Sequence, residues 1–348
     1  MKWLFSYILL LFIGTLCHAQ IVSNVQFEQV NRQVKITYNL EKQADISVSV
    51  SEDGGTTWHA PLKQVSGDVG KKVQPGSKTI YWDVLAEYYQ LVGTNICFKV
   101  TPALKAENLT FTVNGVSFTM VYVEGGTFTM GATPEQGRIY DIDESPTHEV
   151  ILSAFYIGQY EVTQGLWQAV MGSNPACFKN GNSWPVENVS WNDCLSFIKE
   201  LNHQLSGQLN GKRFALPTEE QWEYAARGGQ DSKGYKYSGS NNLTKVGWYI
   251  MNSSNDTHTH MVGQKLSNEL GLYDMSGNVW EWCQNGYYFY PAGAQTNPVG
   301  ASPKSNYVFR GGSYNYHASR CRVSNRGYDR PTYRDSGLGL RLALIIPE

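Results

Sequence analysis

The chain has 348 residues, with 28 Lys and Arg against 30 Asp and Glu and a formal net charge of −2. That length suits about two domains of ordinary size. A nearly neutral chain with no Lys/Arg run is unsuited to nucleic acid or an anionic membrane surface. Plentiful Gly, Tyr and Trp and few charged residues favour short strands and long ordered loops over helical bundles.

Residues 1–19 read as a secretory signal peptide. Lys2 precedes an apolar run from Trp3 to Ile13, too short to span a bilayer comfortably, and cleavage is expected after Ala19. The alternative is a lipoprotein leader acylated at Cys17, which Leu16 suits poorly because a small residue is wanted there. Export places the chain in the periplasm, on the cell surface or outside, all oxidising. After cleavage Cys97, Cys177, Cys194, Cys283 and Cys321 remain, so at least one is unpaired within the chain. There is no C-x-x-C, hence no zinc spacing.

From residue 20 to 103 the pattern alternates as strands do. Val34, Ile36, Tyr38 and Leu40 share one face, as do Ile46, Val48 and Val50, with EDGG as a turn. SKTIYWDV and ICFKV supply further strands, and the whole predicts a small all-β sandwich of immunoglobulin or fibronectin type. Trp58 and Trp82 are expected as turn or core aromatics. Residues 104–117 read as a polar linker.

The second domain is expected over 118–346. It opens with strand-like residues on both sides of Gly125-Gly126. Ser190 is an N-cap with Asp193 three residues on, and Leu195, Ile198, Leu201 and Leu205 form an apolar stripe on the helix that follows. A second helix is capped by Thr218 with Gln221 at its third position, turns Trp222 and Ala225–Ala226 inward, and ends at Gly228.

Seven stretches occur in order: VEGGTFTMG, YEVTQGLWQAVMGSNP, PVENVSWNDC, LPTEEQWEYAARGG, ELGLYDMSGNVWEWC, RGGSY and GLGLRLA. Through them the second domain resembles the sulfatase-modifying-factor family, whose best-known member is the formylglycine-generating enzyme. The resemblance spans nearly all of Phe118 to Ile345. It implies an α+β variant of the C-type-lectin-like fold with little regular secondary structure. In the oxidase members two cysteines five positions apart hold copper, and oxygen converts a substrate cysteine to formylglycine. Cu(I) is soft and prefers such thiolates. Here Cys321 matches the second position, but Tyr316 stands at the first, and a phenol is a poor ligand for Cu(I). Ser313 and His317 match positions beside the reactive pair. By resemblance Cys321, Ser313 and His317 are the catalytic candidates, while Tyr314, Tyr316 and Arg320 would line a groove. Copper is not expected. Cys321 is expected to form a disulfide or pack as a small apolar residue. Cys283 is the first choice of partner, from the closeness of the two motifs in the family fold, and Cys194 the second.

The same resemblance implies calcium on Asn278, the Val279 carbonyl and Glu281, part of the six to eight oxygens the ion wants. The alternative is a loop held by Asn278 hydrogen bonds, with Glu281 paired to an arginine. His258 and His260, with Asp256, read as a polar loop rather than a metal site. Arg310, Arg322, Arg326 and Arg341 would either clamp an anion or tie loops to carbonyls and carboxylates. Tyr287, Tyr288 and Tyr290 divide between an aromatic groove and the core. The expected function is a non-catalytic binding or assembly module of the cell envelope, holding a peptide, a glycan or an envelope protein. The alternatives are a formylglycine-generating oxidase acting on sulfatases and a structural spacer.

Overall fold

The computed structural model describes residues 21–87, 95–103, 106–137, 141–253, 258–299 and 305–347. The leader and Asp256 lie outside the described residues. The chain divides into two compact units, Met1–Ala106 and Glu107–Glu348. Among the described residues no helix is long and apolar enough to cross a membrane.

Among its described residues the first unit has seven strands in two sheets. One sheet runs β1 (Val22–Val30), β2 (Gln33–Leu40), β6 (Gly76–Asp83), β4 (Val65–Gly67); the other runs β5 (Gly70–Val73), β3 (Ala44–Ser51), β7 (Cys97–Ala103). All pairs are antiparallel. The alternation read from the sequence sets the core. Ile36, Tyr38, Ile46, Val48, Val50 and Ile80 are buried in one cluster, with Trp82 donating Nε1–H to Glu87 Oε2 at 3.1 Å. Glu87 ends the short helix α1 (Val84–Glu87). The SEDGGTTW turn closes on itself. Asp53 accepts from the Thr56 and Thr57 N–H groups at 3.0 and 2.9 Å, which with the Thr57 and Ser51 hydroxyls hold its carboxyl well below the usual range. Trp58 is a turn aromatic, beside the Lys99 ammonium.

The second unit is built on a five-stranded sheet: β13 (Arg213–Ala215), β19 (Ala343–Ile345), β12 (Phe155–Gly158), β9 (Val116–Val123), β8 (Leu109–Val113). Strand β8 and the turn into β9 lie within the residues expected as linker. Its turn is Asn114-Gly115, both at positive φ (47° and 81°), the backbone that a two-residue hairpin requires. A four-stranded sheet runs β17 (Arg326–Asp329), β16 (Tyr307–Arg310), β14 (Trp280–Gly286), β18 (Leu338–Leu340). A smaller sheet joins β10 (Gly126–Met130), β11 (His148–Leu152) and β15 (Gln295–Thr296).

The helices are α2 (Gln164–Met171), α3 (Trp191–Gln204), α4 (Glu219–Ala226) and the short α5 (Leu243–Val246). The expected capping boxes at Ser190/Asp193 and Thr218/Gln221 are present. The expected stripe of α3 is rotated: Cys194, Phe197, Ile198, Leu201 and Leu205 are buried, and Leu195 is 40% exposed. Positions 194, 197, 198, 201 and 205 share one face at 3.6 residues per turn, and 195 falls on its edge. The Trp167 ring of α2 stacks flat on Phe197 of α3, centroids 4.7 Å apart.

Candidate functional site

The site candidates sit on the loop from Gly311 to Asn325, between β16 and β17. Gly312 lets this loop fold over Cys321. Its φ is 77°, and a Cβ there would lie 2.6 Å from Cys321 Sγ and 2.8 Å from the Arg320 carbonyl. Cys321 is fully buried, packed with Tyr237, Leu243 and Val246. Its only polar contact among the described residues is the His317 carbonyl, 3.9 Å away. Burial pushes the thiol up to about 12. A nucleophile or soft-metal ligand needs thiolate and access, and this environment denies both.

The other expected residues are dispersed. Ser313 is buried and donates to Asn315 Oδ1 at 2.6 Å, holding the turn. His317 is exposed and precedes the 3-10 turn Ala318–Cys321. Tyr316 is 39% exposed, its ring 5.5 Å from Trp280 in an edge-on contact. Tyr314 is buried, edge-on to Phe178 at 5.9 Å. Arg320 turns away from both and pairs with Asp141. The three expected groove residues therefore have separate contacts: Tyr314 inside against Phe178, Tyr316 at the surface against Trp280, and Arg320 on Asp141.

The expected disulfide is absent. Cys283 and Cys321 are both free, as is Cys194. The reason is placement: Cys194 packs beside Phe197 and Leu201, Cys283 beside Trp222 and Val308, and Cys321 behind the loop, each in a different apolar cluster. The two family positions hold a buried thiol and a phenol turned to Trp280.

The residues expected to bind calcium have protein partners in this structure. Asn278 Oδ1 accepts from His260 N–H at 2.9 Å, and its Nδ2 donates to Glu161 Oε2 at 2.6 Å. The Val279 N–H donates to Glu161 Oε1 at 3.1 Å. Glu281 Oε1 accepts Arg341 Nη2 at 2.7 Å, and Oε2 accepts Trp222 Nε1 at 2.6 Å. This is the arginine-paired arrangement weighed as the alternative. Among the described residues no three His, Cys, Asp or Glu side chains are grouped to hold a metal. Two buried acids beside this pair went unread in the sequence, Glu161 and Asp274. Burial raises both carboxyls, Asp274 to about 6.

The four arginines are ties. Arg310 and Arg326 both reach Glu219, at 3.1 and 2.6 Å, and both are buried. Arg322 forks onto Glu144 at 2.7 and 2.5 Å. Tyr290 and Tyr288 add hydroxyls to Glu219 and Glu220, and Tyr287 stacks on Tyr328, centroids 3.7 Å apart. His260 stacks on Trp248, centroids 3.8 Å apart.

Sequence reasoning also missed what surrounds the tyrosines. The Asp335 charge raises both Tyr314 and Tyr316, after burial itself. Glu187 is fully buried, accepts the Phe178 N–H at 2.8 Å and faces the thiol of Cys177. Cys177 is the exposed one of the five free cysteines. The signal was present in PVENVSWNDC, but no spacing rule links it to residue 335.

Sheets joined by long loops, with arginine–glutamate pairs in place of further strands, define a loop-dominated α+β domain. The model of the sulfatase-modifying factor enzyme 1-like domain matches residues 109–346. The chain belongs to that family. It is 38% identical over 211 residues to the chaperone protein LppX of Paenibacillus barcinonensis, covering 48% of this chain and 71% of that one. It is 36% identical over 176 residues to the formylglycine-generating enzyme of Streptomyces coelicolor, covering 46% of this chain and 52% of the enzyme. Among solved structures, Treponema denticola variable protein 1 matches with a TM-score of 0.62 and 34% identity, over 69% of this chain and 99% of that one.

Proposed function

We propose that this chain is an exported, non-catalytic binding module of the cell envelope that engages a partner polypeptide through the surface around Tyr314 and Tyr316. In this reading the first unit is an immunoglobulin-like spacer, and the second is a C-type-lectin-like variant whose loops carry the binding surface. The observation that carries it is the fully buried Cys321 thiol, in no disulfide, with the phenol of Tyr316 rather than a second sulfur at the other family position. Copper-dependent oxidation of a sulfatase cysteine needs two accessible sulfurs, and the second unit does not present them at those positions. A chaperone among the relatives supports a polypeptide partner over a glycan.

The test is metal analysis of the purified chain, followed by incubation with copper, oxygen and a C-x-P-x-R peptide. The expected result is no stoichiometric copper and no aldehyde by mass spectrometry. Formylglycine that disappears in the Cys321→Ser variant would establish the oxidase instead.

A further inference from the structure

The exposed cysteine, Cys177, does not sit on a free loop. Gln164 of α2 accepts Asn174 Nδ2 at 2.8 Å and donates Nε2–H to the Phe178 carbonyl at 2.8 Å, so both ends of the loop are fixed. Within it, the Ala176 N–H donates to Asn174 Oδ1 at 3.0 Å, and Asn188 Nδ2 donates to the Pro175 carbonyl at 3.0 Å. The Phe178 N–H donates to Glu187 Oε1 at 2.8 Å. The residues on either side of Cys177 are thereby held, while its own side chain stays exposed.

One oxygen of Glu187 does this stapling, and the other is spare. Glu187 is fully buried, and its Oε2 has no hydrogen-bond partner among the described residues. A buried carboxylate oxygen without a donor or a cation is costly. A staple alone would be served as well by a neutral glutamine. The carboxylate faces the Cys177 thiol. Asn188, next in the chain, brings in a second acid, since its N–H donates to the Asp335 carbonyl at 2.9 Å. Both charges that act on the thiol, those of Glu187 and Asp335, are negative, and with partial burial they raise it above the ordinary thiol value. Lys179, exposed two positions on, is not among them. The result is a reachable sulfur with two negative charges around it and no positive one. An anionic reagent approaching that sulfur is repelled, and a cationic one supplies the missing countercharge.

We infer that Cys177 is a modification site that forms a mixed disulfide selectively with disulfides bearing positive charge. Glu187 and Asp335 do the selecting. In the step, the Cys177 proton passes to Glu187 and the thiolate attacks one sulfur of the incoming disulfide. The old S–S bond breaks as the new one forms. The departing sulfur leaves with the electron pair and takes up the proton, so Cys177 is oxidised and the departing thiol is reduced. The inference needs neither the binding reading above nor the oxidase alternative.

The experiment uses the full chain, reduced and freed of reductant, at low ionic strength. Separate samples receive cystamine, which carries ammonium groups, or dithiodipropionate, which carries carboxylates. Adducts on the peptide holding Cys177 are followed by mass spectrometry. Each rate is divided by that of the neutral thiol N-acetylcysteine amide with the same reagent, which removes intrinsic reactivity. Cystamine should then be favoured about tenfold or more, and the preference should shrink as salt is raised. Glu187→Gln keeps an oxygen for the Phe178 N–H and should lower the preference severalfold. Asp335→Asn is the second variant, should the first misfold. Equal normalised rates, a preference for dithiodipropionate, or a preference unchanged in the folded variants would overturn the site. The oxidised dimers of Lys-Cys amide and Glu-Cys amide repeat the comparison for a peptide source. A preference there extends the site to cystine peptides, and one for cystamine alone assigns it to small amines. Formylglycine formation would sink the non-catalytic reading and leave this site standing.

Discussion

Replacing Cys321 by serine and by alanine separates a packing residue from a chemical one. Serine is nearly isosteric, but its hydroxyl would sit where the sulfur now contacts only the His317 carbonyl at 3.9 Å. An O–H···O bond needs about 2.5–3.0 Å, so the hydroxyl would be buried without a partner, at about 1–3 kcal/mol. Alanine removes the sulfur and leaves a gap against Tyr237, Leu243 and Val246. A methylene-sized deletion of this kind costs about 1 kcal/mol, more if the pocket fails to relax. Serine should therefore destabilise at least as much as alanine, each kcal/mol lowering the melting temperature by roughly 2–4 °C in a domain of this size. The assay is urea unfolding of the parent and both variants, with a thiol reagent to count accessible cysteines in the native chain. Cys177 should react and Cys321 should not until unfolding. The reasoning is refuted if Cys321 labels in the folded chain, or if the serine variant keeps full stability.

Arg341→Met would leave Glu281 charged and buried beside Glu161 and Asp274, at about 3–5 kcal/mol. Adding Glu281→Gln should restore much of that, as measured by a double-mutant cycle in urea. Stability should also fall as pH rises from about 4 to 7. Asp274 and Glu220 have folded values raised to about 6 and about 7, so their contribution is complete below the unfolded values and lost through the folded ones. Glu144, Glu219 and Asp193 are lowered and act oppositely, their contribution fading as pH falls through the acid range. Unfolding free energies at stepped pH should therefore peak in mild acid, and Glu220→Gln should flatten the neutral side. Tyr316→Cys should acquire no stoichiometric copper by metal analysis, because Cys321 stays behind the Gly312 crossing.

What the sequence made legible was local. Ser190 and Asp193, or Thr218 and Gln221, meet within one helical turn, and strand alternation from Val34 to Val50 placed the first unit's core. The failures have the same origin. The Asn114-Gly115 hairpin sits in a polar stretch that reads as linker, and leucines alone misphase the stripe of α3, whose face Cys194 and Phe197 define. The pairing of Cys283 with Cys321 came from neighbouring motifs, and neighbouring motifs turned out to feed different clusters.

The second unit's long-range ties hold its loops together without any disulfide. Glu219 accepts Arg326, 107 positions away, and Glu144 accepts Arg322, 178 positions away. These pairs anchor the C-terminal end of the loop that carries Cys321, and neither passes through a sulfur. Removing either partner would strand a buried charge. The retained motifs in RGGSY and GLGLRLA report the framework that holds the loop. They carry no information about whether the loop still performs oxidation, which depends on Tyr316 and the buried state of Cys321.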